Sequence, residues 1–524
     1  MPTSTVKKID LSPMDKFNQT LVSNVHPSDW VNPAPTGRYN VIVIGAGSGG
    51  IVTAAGAAGL GAKAALIEKR FLGGDCLNAG CVPSKCIIRS SRAAADVRDA
   101  AEFGVQTSPG ATVDFSAVMG RMRELRSKIS HHDSAAHLVS QGIDVYLGEA
   151  RFLNSDTIEV DGKKLRFKKA VIAAGARAVQ PAIPGLAEAG YLTNETVFSL
   201  TQRPRRLACI GGGPIGCELA QAFRRLGCEV VLFHTGSHIL NREDADAAEI
   251  VQQRFIREGI QLVLGSAIKN VSATKIGGSV LLSGGGKNGA EKIIQYESNG
   301  ITASVAVDEI LVGVGRAPNV EGLNLESVGV KYDKQAGVLV NDRLQTTNPR
   351  IYAVGDICMA YKFTHAADAA ARIVIENALF FGKKKLSRLT MPWCTFTDPE
   401  IAHVGMYEPD AQKAGIPVAT FMKKFIDVDR AVADGEEEGF VKVHVKKGTD
   451  QILGATIVAR HAGEMLNELT LAIVHKIGLG KISSVIHPYP TQAEAIRSLG
   501  DSYNGTLVTP LLRKLLNRWF AWTR

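Results

Sequence analysis

Two cysteines separated by four residues stand in GGDCLNAGCVPSKC, Gly73 to Cys86, and thiols so placed are the groups in this chain best suited to chemistry. Such a pair serves as a structural staple, a metal clamp or a redox device. A zinc clamp needs about four ligands, and Cys76 and Cys81 have only Cys86 nearby. Eight cysteines in 524 residues are no disulfide scaffold. The expected compartment is a reducing cytoplasm, where paired cysteines serve catalysis or metals. A regular helix would hold residues five apart beyond the Cα separation of about 7 Å that a disulfide tolerates. The backbone is therefore expected to be distorted there, which the asparagine and glycines around the pair permit. Pro83 suits the first turn of a helix. That places Cys81 at a helix N-terminus, where the dipole and Lys85 favour thiolate over thiol. One cysteine is then expected to lie against a cofactor as a stabilised thiolate, with the other open to exchange. Cys86, Cys209, Cys217, Cys228, Cys358 and Cys394 read as packed thiols.

A cofactor needs a scaffold, and the glycines supply one. YNVIVIGAGSGGIVTAAGAAGLGAKAALIEK, Tyr39 to Lys69, reads as an apolar strand, a glycine turn, an Ala-rich helix and a second strand ending at Glu68. Gly45, Gly47 and Gly50 form G-x-G-x-x-G: a tight turn, a close approach for pyrophosphate, and tight helix packing. Glu68 is expected to accept a hydrogen bond from a ribose 2′-hydroxyl. The same grammar returns in RLACIGGGPIGCELAQAFRRLGCEVVLFHTG with Gly211, Gly213 and Gly216. His234 falls there where Glu68 falls in the first copy, so no carboxylate repels a 2′-phosphate. With His238 and Arg242 nearby, the coenzyme expectation is NAD(P)H with a slight lean to NADPH.

The rest of the chain frames these units. Residues 1–37 are polar and proline-punctuated and read as an irregular arm. Residues from about 90 to 145 carry helical periodicity with basic faces, as in AVMGRMRELRSKI. SGGGKNG reads as a hairpin, and His131, His132 and Asp133 as a solvated helix end. From about Met391 to Tyr503 strands and helices alternate without a glycine fingerprint, as in an α+β domain. The net charge of +9 with only 6% aromatic residues suits anionic small molecules and excludes nucleic acid. No stretch has the length of a signal peptide or a spanning helix. The last twenty residues set Leu and Trp against Arg and Lys at helical spacing, a basic amphipathic tail for a membrane surface, a partner groove or the protein's own dimer surface.

Taken together, GGDCLNAGCVPSK and the two glycine units resemble the FAD-dependent pyridine nucleotide-disulfide oxidoreductases, a family that includes mercuric reductase and dihydrolipoamide dehydrogenase. The resemblance runs from about Tyr39 to Leu499. It implies an α/β fold with two Rossmann-like dinucleotide-binding domains and a C-terminal α+β dimerisation domain. The implied divisions are an FAD-binding domain over 38–190 and 317–390, an NAD(P)-binding domain over 191–316, a dimerisation domain over 391–503 and the tail over 504–524. The first glycine unit would hold FAD and the second NAD(P)H. Gly175, Gly315 and Asp356, the last in IYAVGDI, would also serve the cofactors. Lys85 and Glu218 match the ion pair beside the flavin. Cys81 would be the thiolate nearest the flavin and Cys76 the thiol that meets the acceptor, in a homodimer.

One stretch departs from the pattern. Disulfide reductases of this family carry an acid-base histidine from the partner subunit in a His-Pro-Thr stretch, with Glu five residues on. Here IHPYPTQAE puts Tyr489 in that place, ahead of Glu494, with His487 two residues earlier as a substitute that would have to swing in. A phenol is a poor base at neutral pH. Mercuric reductase also has tyrosine there, although this chain's LLRKLLNRWFAWTR lacks that enzyme's terminal cysteine pair. The expectation is an oxidoreductase passing electrons from NAD(P)H to a thiol-reactive or thiol-bound acceptor, mercuric reductase-like. The alternatives are a dihydrolipoamide dehydrogenase or other disulfide reductase, a quinone reductase, and a flavin-bearing redox sensor.

Overall fold

The computed structural model describes residues 11–107, 112–273 and 291–524, so the SGGGKNG stretch lies outside the described residues. The chain divides into two compact units, one of residues up to 237 plus 259–389, the other of residues 238–258 and 390–524.

In the first unit, strand Arg38–Ile44 lies at the heart of a seven-stranded sheet. It pairs in parallel with Ala64–Glu68 on one side and Lys163–Ile172 on the other, and Ile143–Leu147 continues beyond Ala64–Glu68. The run VIVI is buried throughout, as a strand covered on both faces must be. A second sheet repeats the plan with four parallel strands in the order Gln261–Val263, Glu229–Phe233, Arg206–Ile210 and Glu309–Val312. In the second unit, five antiparallel strands run from Pro392–Thr395 to Val418–Lys424, with helices Ala462–Val474 and Glu494–Thr506 sharing their apolar core. The expected pair of Rossmann-like arrangements and the α+β domain are all present.

The N-terminal arm is not irregular. It contains α1, Lys16–Val25, whose first turn is capped by the Asp15 side chain accepting the Asn18 N–H at 2.9 Å. Three further helices carry the glycine turn and the cysteines: α2, Ser48–Gly59, the short α3, Gly74–Asn78, and α4, Cys81–Asp99. The reason that α1 forms lies a hundred residues away, on α5, Phe115–Ile129. The basic residues of α5 do not all face water: Arg123 and Arg126 are buried. Arg123 meets the Asp15 carboxylate at 2.6 Å. Arg126 donates to the Asn18 side-chain oxygen at 2.7 Å and to the Asn78 carbonyl at 2.8 Å. Burial pushes the Arg126 guanidinium down to about 10, so it remains charged at neutral pH and needs both acceptors. It thereby ties the end of the cysteine-bearing α3 to the arm. Arg126→Ala is expected to cost about 3 kcal/mol by stranding buried polar partners, measured as a lowered denaturant midpoint; an unchanged midpoint would refute the clamp.

Candidate active site

Between Cys76 and Cys81 the helix breaks, as the spacing requires. Gly73 and Gly74 enter α3 with φ of +87° and +56°. The chain leaves α3 through Ala79 and Gly80 in non-helical conformations, and Cys81 opens α4. Gly74 also admits a contact that no other residue could make: a Cβ there would lie 2.6 Å from the Gly47 Cα. The cysteine loop thus rests directly on the first glycine turn. The two cysteines, both free, act on one another unequally. Cys81 is lowered to about 6 by the neighbouring Cys76 thiol, by the Thr364 hydroxyl 3.5 Å away and by the Lys85 charge, against burial and Glu218. Cys76 is pushed well up, first by Cys81 and then by burial. The proton stays on Cys76 and the negative charge on Cys81. Cys81 is nevertheless the more exposed of the two. It opens on a cleft of about 380 Å³ also lined by Lys85, Cys86, Arg89 and Arg121, so Cys86 is a cleft-side thiol rather than a fully packed one.

Lys85, one turn along α4, meets Glu218 at 2.8 Å. Glu218 is buried on the helix Pro214–Arg225 that follows the second glycine turn, so this ion pair links the two nucleotide-binding plans. In the first turn, a Cβ on Gly50 would lie 1.8 Å from the Gly45 carbonyl oxygen, and Gly45 has φ +102°. The Glu68 carboxylate accepts the Ala46 and Arg70 N–H groups, each at 2.7 Å, while burial raises it. His234 occupies the same place in the second turn: its Nδ1 accepts the Gly212 N–H at 3.2 Å, the tautomer that carries its proton on Nε2. Gly211 and Gly216 repeat the close packing of Gly45 and Gly50, and Gly213 caps the helix behind them. His238 and Arg242 belong to the other compact unit.

Gly175 and Gly315 flank a short antiparallel pairing of Ala176–Ala178 with Arg316–Pro318. There the structure shows a residue that sequence reasoning missed. The Arg316 guanidinium donates to Asp356 at 3.1 Å, to the Ala176 carbonyl at 2.6 Å and to Asp75, the neighbour of Cys76. Burial raises the Asp356 carboxyl, and Arg316 opposes that rise. An acidic residue beside a thiol that must shed a proton was the available signal: Asp75 required a cation. Thr364 gave no such signal.

In the second unit, the Tyr489 hydroxyl donates to the Asp429 carboxylate at 2.8 Å, which raises the phenol further from neutrality. The His487 ring is taken up on both sides, by Glu468 at 3.0 Å and by the Val485 carbonyl at 3.1 Å, and its side chain is only 7% exposed. Swinging it free would break both contacts, so His487 is not a ready substitute. Glu494 starts helix Glu494–Thr506, 3.5 Å from Arg497.

Residues 39–371 match the family model described as pyridine nucleotide-disulphide oxidoreductase, and residues 391–499 match its dimerisation domain. The chain is 35% identical to the mercuric reductase of Staphylococcus aureus over 461 residues, 88% of this chain and 82% of that one. It is 32% identical to the dihydrolipoyl dehydrogenase of Bacillus subtilis (strain 168) over 475 residues, 88% and 96% of the two chains. The HOCl-induced flavoprotein disulfide reductase RclA from Escherichia coli superposes with a TM-score of 0.76 at 26% identity, covering 88% of this chain and 99% of that one.

In the reduced protein, alkylation of Cys81 is expected to fall away as pH drops through about 6, because protonation removes the thiolate. Lys85→Met should move that midpoint up by about one unit. A midpoint untouched by the substitution, read by mass spectrometry of the alkylated peptide, would show that Lys85 does not act on the sulfur.

Proposed function

The chain belongs to the pyridine nucleotide-disulphide oxidoreductase family of FAD-dependent, NAD(P)H-using enzymes, and we propose that it reduces a thiol-reactive acceptor of the mercuric-ion type through Cys76 and Cys81. Bound FAD supplies the two-electron relay that side chains lack. The glycine turn of Gly45, Gly47 and Gly50 fits it: the three glycines keep the turn close to the N-terminus of α2, where a pyrophosphate would meet backbone N–H groups, and the Glu68 carboxylate reaches the turn at Ala46. Gly175, Gly315 and Asp356 would complete that site. Gly211, Gly213, Gly216 and His234 would receive NAD(P)H. Lys85, held by Glu218, would keep a positive charge beside Cys81.

In the reducing half, the hydride equivalent of NAD(P)H opens the Cys76–Cys81 disulfide to a thiol on Cys76 and a thiolate on Cys81. In the oxidising half, the thiol and the thiolate close to a disulfide, release one proton and give two electrons to the acceptor. The observation that carries this reading is the placement of the pair across the break between α3 and α4, with Cys81 opening on the cleft, 3.5 Å from the Thr364 hydroxyl and one turn from the Lys85–Glu218 ion pair, which fits a lowered Cys81 and a raised Cys76. A divided pair keeps one sulfur ready as a nucleophile or metal ligand and one as a proton store. Tyr489 favours a metal ion over a disulfide as acceptor. Reducing a disulfide needs a proton for the leaving thiol, and a phenol bonded to Asp429 gives and takes one poorly near neutral pH. Mercuric reductases among the relatives favour the same class. The matched dimerisation domain supports a homodimer.

Steady-state oxidation of NADH and NADPH is to be measured with Hg(II) in excess thiol, lipoamide, glutathione disulfide and quinones. Hg(II) is expected to be the best acceptor, and Cys76→Ser to lose at least 100-fold of that turnover (order of magnitude from) while FAD stays bound. Full turnover in Cys76→Ser would remove the sulfur pair from the route. Tyr489→His is expected to raise lipoamide or glutathione disulfide turnover by on the order of tenfold or more; no gain with any disulfide would count against the role given to this position.

A further inference from the structure

We propose that the terminal helix Pro510–Trp522 docks this enzyme on an anionic lipid bilayer. The helix is well formed on local grounds: the Thr509 hydroxyl accepts the Leu512 N–H at 3.3 Å, and Pro510 occupies the first turn. Yet none of its residues is buried. Leu511 is 70% exposed, Phe520 56% and Trp522 78%.

These apolar side chains are not scattered. At about 100° per residue, Leu511, Leu512, Leu515, Leu516, Trp519 and Phe520 share one half of the circumference with Trp522. Arg513, Lys514, Asn517 and Arg518 fill the other half. Water on so continuous an apolar face is unfavourable, so the face calls for a cover, and charge selects which. From Ser502 to Arg524 there is no acidic side chain, while Arg513, Lys514, Arg518 and Arg524 are cationic. A second copy of this chain carries a net +9 and meets the tail with like charge overall. A bilayer rich in anionic headgroups meets it with the opposite charge and also accepts the apolar face.

The mode of contact is set by size and composition. Thirteen residues span about 20 Å, less than the hydrocarbon thickness of about 30 Å. No helix among the described residues is long and apolar enough to cross a membrane. The helix therefore lies in the interfacial plane, with Leu side chains down and the basic half among headgroups. Trp519 and Trp522, their rings 5.4 Å apart, sit where an indole places its ring in the apolar layer and its N–H in the polar one.

The test uses the full-length, FAD-loaded protein and two sets of vesicles, phosphatidylcholine alone and phosphatidylcholine with about a third phosphatidylglycerol. Cosedimentation is expected with the anionic vesicles, at least tenfold weaker with the neutral ones and weaker again at high salt, together with a blue shift of tryptophan emission. Replacing Arg513, Lys514 and Arg518 together by Gln should weaken binding by on the order of a hundredfold. Leu515→Glu with Trp519→Glu should abolish it, and removal of residues 508–524 should do the same while leaving FAD content unchanged. The proposal is overturned if full-length protein ignores anionic vesicles, if it binds both sets equally, or if the truncated protein binds as well. A tail-dependent change of oligomeric mass without vesicle binding would assign the face to a second copy and overturn it too.

Discussion

The unequal hold of two neighbouring sulfurs on one proton sets the terms for the rest of this molecule. For Cys76 to hold a proton against a Cys81 that has lost one, the two must lie side by side. Residues five apart in an unbroken helix cannot do so. The left-handed glycines ahead of α3, the irregular exit at Ala79 and Gly80, and the start of α4 at Cys81 are the backbone's answer. Starting α4 at the sulfur also points unpaired N–H groups toward the charge that has to be stabilised.

So interrupted a loop holds its shape only if its surroundings hold it. Two arginines, one buried and one largely so, do most of that. Arg126 grips the Asn78 carbonyl at the far end of α3, and Arg316 grips Asp75 near its start while also meeting Asp356. Each pairs its buried charge with several acceptors, which is what makes such a charge tolerable away from water. Lys85 and Glu218 add a third link, joining the helix that carries the sulfur to the helix behind the second glycine turn. Local strain at the cysteines is thus balanced by contacts that reach far along the chain.

That division also separates what the residues disclose on their own from what they do not. The glycine turns were legible because their requirements are local: a positive φ at Gly45 and a carbonyl against Gly50 belong to neighbours a few residues apart. The break between the cysteines was legible for the same reason, since helix geometry forbids the alternative. Arg123 and Arg126 read only as part of a basic helix face because their partners, Asp15 and Asn18, lie about a hundred residues away in a segment rich in prolines and polar groups. The same distance hid α1, whose buried face of Leu21 and Val25 also takes in Asn18, the side chain that Arg126 satisfies. Arg316 escaped notice because nothing in GVGRAPN points toward the cysteine loop. His487 looked available from its spacing, and only its two acceptors show it engaged.

The contact of Gly74 on Gly47 has an evolutionary consequence. Because backbone touches backbone there, the first glycine turn and the sulfur loop cannot drift independently: a methyl group on Gly74 would pry them apart. Descendants of this sequence are free to remodel the cleft beside Cys86 and Arg121, whose lining takes no part in that seam. They inherit the seam whole or lose the chemistry on both sides of it.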